Sequence, residues 1–358
     1  MKEIARRRMR AQRLWGRPLA APEDVVRHLG AMQAQEFAFA KWSVAQRTKG
    51  VDDDAMERAF AEGRILRTHV LRPTWHFVLP EDLRWMLGLT APRVHAGSAA
   101  RYRELEVDDR LVARTNAIIE KALAGGTHLT RNELRDVLER AGIATGGQRI
   151  AYLVMRAELD AVICSGPRRG KQHTYALVDE RAPNPKRLDP EEALAELTRR
   201  YFTARGPATV RDYRAWSSLT AAQARRGLEI VGRDLEQTEA EGRTYWFGPD
   251  ARRAPAPARS PRFDLVQIYD ETIMGYTESR DALYDASTVD RTAAYREAWM
   301  HGILRDGRLI GRWKPADRRE KVVVETTFFR PLTAAQTPAF EAALERYAAF
   351  RGQPVTRG

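Results

Sequence analysis

Gln33 and Gln35, in the run Leu29-Gly30-Ala31-Met32-Gln33-Ala34-Gln35-Glu36-Phe37, are the side chains whose type and spacing point furthest toward chemistry. A carboxamide has no useful basicity near pH 7. Its carbonyl accepts and its NH2 donates, however, so a pair of them can hold a water molecule and aim its lone pair. Such modest help suits a reaction whose leaving group is already activated. Alternate positions of an extended turn would point both amides the same way. The competing reading has them capping the helix that precedes them. Glu36 is the nearest carboxylate and is expected to be solvated or paired with an arginine. Lys41 is the only lysine near the motif. A Schiff base would need a desolvated amine there, and an ordinary surface lysine is expected instead.

These residues need elements to position them, and apolar periodicity supplies a plan. Helices are expected at 4–14, 22–32 and 53–61, followed by strands at 65–71 and 74–79 that turn at Arg72-Pro73. A clearer unit follows at 108–178. It has a helix stopped by Gly125-Gly126, a capping box at Thr130-Arg131-Asn132-Glu133, a third helix, and a hairpin whose tip is Gly166-Pro167-Arg168-Arg169-Gly170-Lys171. Three helices and a basic-tipped hairpin predict a winged helix-turn-helix. The plan recurs with Asp189-Pro190-Glu191-Glu192 and with Thr209-Val210-Arg211-Asp212, so the whole is expected to be α+β. Three tandem winged helices (1–100, 101–182 and 183–250) would precede a β-barrel-like region at 251–358. Within that last region, strands are expected at 263–269, 302–304, 309–313 and 321–327, with a hairpin turn at Asp306-Gly307, a helix at 338–350, and a Pro/Ala/Arg linker at 249–261 ahead of them.

The charge fits an acidic polymer as partner. Of 358 residues, 60 are Lys or Arg against 48 Asp or Glu, a formal surplus of +12. Arginine dominates the basic set, and its flat fork suits phosphates. A GC-rich coding bias would give the same composition, so the surplus supports duplex binding without establishing it. The wing cluster Arg168, Arg169 and Lys171 is expected to touch DNA. Thr68 and His76 are expected to face DNA or the reacting water, His76 pointing away from Trp75 and Phe77, although a structural role for His76 is equally open. Arg67 and Arg72 would hold phosphates or internal carboxylates.

Met32-Gln33-Ala34-Gln35-Glu36 and the run Arg67-Thr68-His69-Val70-Leu71-Arg72-Pro73-Thr74-Trp75-His76-Phe77-Val78 resemble the two N-terminal signatures of the AlkZ/YcaQ family of winged-helix DNA glycosylases. Tyr269-Asp270-Glu271-Thr272-Ile273-Met274-Gly275-Tyr276 and Asp306-Gly307-Arg308-Leu309-Ile310-Gly311-Arg312-Trp313 are similar to its C-terminal β-domain segments. The resemblance covers essentially the whole chain. It implies three winged helices and a β-barrel-like domain curved around duplex DNA. It also implies monofunctional excision of bulky N7-alkylated purines, including the unhooking of interstrand crosslinks, with Gln33 and Gln35 as the catalytic pair of the Gln-x-Gln branch. The chemistry agrees with the residues, because a purine alkylated at N7 is already cationic and departs without protonation. Undamaged purines would need a carboxyl partner and are expected to be poor substrates.

Other classes fare less well. The lone Cys164 removes a disulfide framework, a four-cysteine zinc site and a cysteine-held iron–sulfur cluster, and the seven histidines offer no metal-ligand set, so no metal or other cofactor is expected. A magnesium nuclease built on Asp52, Asp53 and Asp54 is disfavoured, since consecutive acids diverge and here precede a helix that they would start. No apolar run approaches a membrane span, which predicts a cytoplasmic protein, nucleoid-associated when bound to DNA, and the tandem units predict a monomer. The remaining alternative is a non-enzymatic winged-helix regulator.

Overall fold

The computed structural model describes residues 1–252, 261–284 and 301–358. Within it the order helix, strand, helix, helix, strand, strand occurs twice, and a third time without its first strand. The first unit comprises α2 (Pro22–Leu29), β1 (Met32–Gln33), α3 (Phe37–Ala45), α4 (Asp53–Ala61), β2 (Leu66–His69) and β3 (Trp75–Val78), its sheet ordered β1-β3-β2. After the long α5 (Pro80–Glu104) come α6 (Asp109–Leu123), β4 (Leu129–Thr130), α7 (Arg131–Arg140), α8 (Arg149–Leu159), β5 (Ile163–Ser165) and β6 (Thr174–Leu177), again with the first strand beside the third. After the short α9 (Val178–Arg181), α10 (Pro190–Arg205), α11 (Val210–Ser217), α12 (Ala221–Val231), β7 (Glu236–Ala240) and β8 (Arg243–Phe247) repeat the plan. There, a single bridge from Ala208 to Trp246 replaces the first strand.

Local chemistry sets the boundaries. Thr130 with Glu133, Asp189 with Glu192 and Thr209 with Asp212 form reciprocal capping boxes that satisfy backbone N–H groups otherwise left free at a helix start. Gly30, at φ 75°, stops α2 three residues before the glutamine motif and turns the chain into β1. The expectation that this helix runs on to residue 32 is corrected by that turn.

Two helices carry no readable stripe. α3 buries Phe37, Ala40, Trp42 and Val44 on several sides, so it lacks the polar face that periodicity detects. α5 contains Gly88, Pro92 and Gly97 and had no expected element at all.

The C-terminal region is an open five-stranded sheet, ordered β13-β12-β11-β10-β9, that curls through half a barrel. Its strands are β9 (Phe263–Val266), β10 (Gly302–Arg305), β11 (Arg308–Asp317), β12 (Val322–Phe328) and β13 (Val355–Arg357). The expected β-barrel-like region is thus a half-barrel, with two sheet edges among the described residues. Asp306 and Gly307, both at positive φ (53° and 80°), make the tight turn between β10 and β11, as their types require. The expected linker at 249–261 lies largely outside the described residues.

This sheet does not stand apart from the first unit. Val25, Leu29, Met32, Phe37, Trp42 and Phe77 share one apolar core with Phe263, Leu265, Ile303, Trp313, Phe340 and Tyr347, and Trp42 donates to the Leu265 carbonyl at 2.7 Å. The N-terminal α1 (Lys2–Ala11) straps the third unit to the last region. Arg8 donates to the carbonyls of Pro207 and Ser279, each at 2.8 Å, and Gln12 donates to the Tyr276 hydroxyl at 2.8 Å. No helix among the described residues is long and apolar enough to cross a membrane.

Candidate active site

Short β1 carries Gln33 at the sheet edge, paired in register with His76 of β3, while Thr68 of β2 pairs with His76 from the other side. Gln33, His76 and Thr68 therefore form one row across three strands. The Gln33 side-chain oxygen accepts from Arg72 Nη2 at 2.8 Å, and the Gln35 oxygen accepts from the Trp75 backbone N–H at 3.4 Å. Ala34 between them donates to the Trp75 carbonyl at 2.7 Å. The two amides are thus anchored on the β2–β3 hairpin rather than capping the preceding helix, which ends at Gly30.

The hairpin residues singled out by sequence face inward. Arg67 is 8% exposed, donates to the carbonyls of Ala34 (2.8 Å) and Gln35 (3.4 Å), and lies over the Trp75 ring at 4.4 Å. It braces the motif's backbone, donating to these carbonyls rather than to an internal carboxylate. Burial pushes its pKa down to about 10. Arg72 serves Gln33 in place of a carboxylate. Thr68 and His76 are fully buried, so neither presents an open surface to a duplex in this conformation. The Thr68 hydroxyl has no hydrogen-bond partner among the described residues. His76 Nδ1 lies 2.8 Å from the Thr74 carbonyl, and burial, then the charge of Arg72, hold the ring well below the ordinary imidazole pKa. It is a neutral histidine.

Two ion pairs distant in sequence hold this corner together. Arg205, at the end of α10, donates to the carbonyls of Leu29 (2.7 Å) and Ala31 (2.8 Å) and to Glu271 Oε2 (2.8 Å). Glu271 Oε1 in turn accepts from the Gln33 backbone N–H at 3.0 Å. Arg47 and Asp270 form a second buried pair at 2.8 Å. The segment carrying Asp270 and Glu271 was expected in a β-domain. It is a turn followed by α13 (Glu271–Met274), which lies against β1. Sequence reasoning missed Arg205, Arg47 and the role of Glu271, because partners 66 to 238 residues apart leave no local pattern. The resemblance around Asp270 and Glu271 was the one available signal.

The family described as "DNA glycosylase AlkZ-like" matches residues 26–350, which includes every group just described. The chain belongs to that family. An interstrand DNA cross-link repair glycosylase of Streptomyces sahachiroi is 28% identical over 335 residues, 87% of this chain and 86% of the relative. The solved structure of Streptomyces sahachiroi DNA glycosylase AlkZ superposes with a TM-score of 0.78 at 23% identity, over 100% of this chain and 99% of that one.

In this AlkZ-like chain the arginines at the β5–β6 hairpin tip are internally engaged. Arg168 donates to Glu57 at 2.5 Å and lies 4.8 Å over the Phe37 ring, so it ties the second unit's hairpin to the first unit. Arg169 makes two bonds to Glu133, at 2.9 and 2.7 Å. Lys171 is exposed at the tip. Lys41, expected at the surface, is only 3% exposed and bonds Asp53 at 2.8 Å and Glu57 at 2.6 Å. Asp52 caps α4 by accepting from Ala55 N–H at 2.7 Å, so the acid run starts a helix. Glu36 is partly exposed, 4.0 Å from His301 Nε2, with its pKa raised by burial.

Proposed function

We propose that this glycosylase hydrolyses the N-glycosidic bond of bulky N7-alkylated purines in duplex DNA, unhooking interstrand crosslinks without cutting the strand. The observation that carries the reading is the pair of adjacent amides, each tethered through its oxygen to the β2–β3 hairpin. They hold the attacking water. Its oxygen bonds to the sugar C1′ as the C1′–N9 bond breaks. The bonding pair moves to N9 and neutralises the cationic purine, and the water's proton passes to solvent. No acid is needed for the leaving group. Lys41, committed to two carboxylates, supports the absence of lyase chemistry. The relative's name supports crosslinks as substrate.

The three repeated units are read as tandem winged helices over 1–100, 101–182 and 183–250, acting as a monomer on double-stranded DNA, with 251–358 completing the first unit's core. Lys171 is the readiest phosphate contact, and Arg169 and Arg168 can exchange Glu133 and Glu57 for phosphates. The test is release of N7-methylguanine or a bulkier mustard adduct from a duplex, abolished by Gln35→Ala while affinity stays within a few-fold. Affinity without release in the wild type would make the chain a DNA-binding regulator.

A further inference from the structure

Gln33 is held at both ends. Its backbone N–H donates to Glu271 and its side-chain oxygen accepts from Arg72 at 2.8 Å. A guanidinium only donates, so the Gln33 atom facing it has to be the carbonyl oxygen. The same Arg72 nitrogen lies 3.5 Å from His76 Nε2. Because the Thr74 carbonyl can only accept, the His76 proton resides on Nδ1, and Nε2 offers Arg72 a lone pair. Thr74, His76, Arg72 and Gln33 form a chain in which every donor and acceptor is assigned. Gln35 is held differently. Its oxygen meets a neutral backbone N–H at 3.4 Å, near the limit of a hydrogen bond, and its side chain is half-buried.

We infer that the two glutamines are not equivalent. Arg72 locks Gln33 with its NH2 turned to the reacting centre, a donor only, while Gln35 keeps a lone pair free to accept. Arg72 is a positioning residue for this division, which rests on the proposed water attack at C1′. The arrangement uses each group of that water once. One lone pair takes a hydrogen bond from Gln33 Nε2, the other attacks C1′, and a hydrogen points at Gln35 Oε1.

Glutamate substitutions separate the roles, because a carboxylate keeps the acceptor and deletes the donor. Single-turnover release of N7-methylguanine from a duplex is compared for wild type, Gln33→Glu, Gln35→Glu, Arg72→Met and Arg72→Lys. Gln33→Glu still offers Arg72 an oxygen yet falls about 100-fold, the usual scale for one lost donor at a reacting centre. Gln35→Glu stays within about five-fold, since its acceptor survives. Arg72→Met falls like Gln33→Glu at unchanged duplex affinity, and Arg72→Lys, still a donor, recovers part of the loss. Release by Gln33→Glu at the wild-type rate, or a larger loss in Gln35→Glu, overturns the division. Release by no variant, wild type included, overturns the function reading and this inference with it. A readout independent of activity is the Gln33 side-chain NH2 resonance pair in glutamine-labelled protein. It shifts in Arg72→Lys if the lock exists, and an unmoved pair overturns the lock.

Discussion

Three histidines around the glutamine motif are held below the range where they would titrate near neutrality. His76 is held well below 6.5, and His173 and His301 are pushed down to about 4, in each case first by burial. A lowered imidazole pKa means the ring stays uncharged throughout the neutral range, so none supplies a proton there. The rate of base release in single turnover should therefore vary by less than about three-fold between roughly pH 6 and 9, whereas a bell-shaped profile would reveal a titrating acid or base. The amides themselves were legible in the sequence, but the pairing of Thr68 with His76 was not, because alternation on strands fixes which residues share a face and leaves the register open. Nor was the work of Arg67 and Arg72. Residue type says that a guanidinium will donate to oxygen; only the tertiary structure decides that the oxygens belong to Ala34, Gln35 and Gln33.

At the scale of elements, the motif begins on a two-residue strand kept in place by pieces from far along the chain. Arg205→Met strips donors from Leu29 and Ala31 and leaves the Glu271 carboxylate buried without its partner. Breaking one side of such a pair should cost about 3–5 kcal/mol, read as a lowered urea midpoint. A cost under about 1 kcal/mol would mean that the clamp is not structural. At the β5–β6 hairpin tip of the second unit, Lys171→Ala should weaken duplex affinity a few-fold and lower the log–log salt slope by about one, with little change in stability. Helices with caps and one apolar face, such as α7 and α10, could be read from sequence. α3 and α5 could not, since burial on several sides and internal glycine and proline erase the amphipathic stripe.

At the scale of the molecule, the +12 surplus is less available to DNA than composition implies. Arg7, Arg8, Arg47, Arg67 and Arg205 are buried, where they fasten helix ends, carbonyls and carboxylates between regions. The repeated unit was visible through its capping boxes and hairpin tips, but the union of the first unit's core with the C-terminal sheet was not, because apolar runs do not announce their partners. On the proposed function, surface charge holds the duplex and two uncharged side chains, Gln33 and Gln35, act on it. That claim is tested most directly by mass-spectrometric detection of the base freed from a duplex carrying one N7-alkylguanine. Wild type should release the alkylated base and leave an unbroken abasic strand, and the Gln33→Ala/Gln35→Ala double variant should bind the duplex but release nothing. Release that survives loss of both glutamines, or strand cleavage trapped by borohydride in the wild type, would contradict the account.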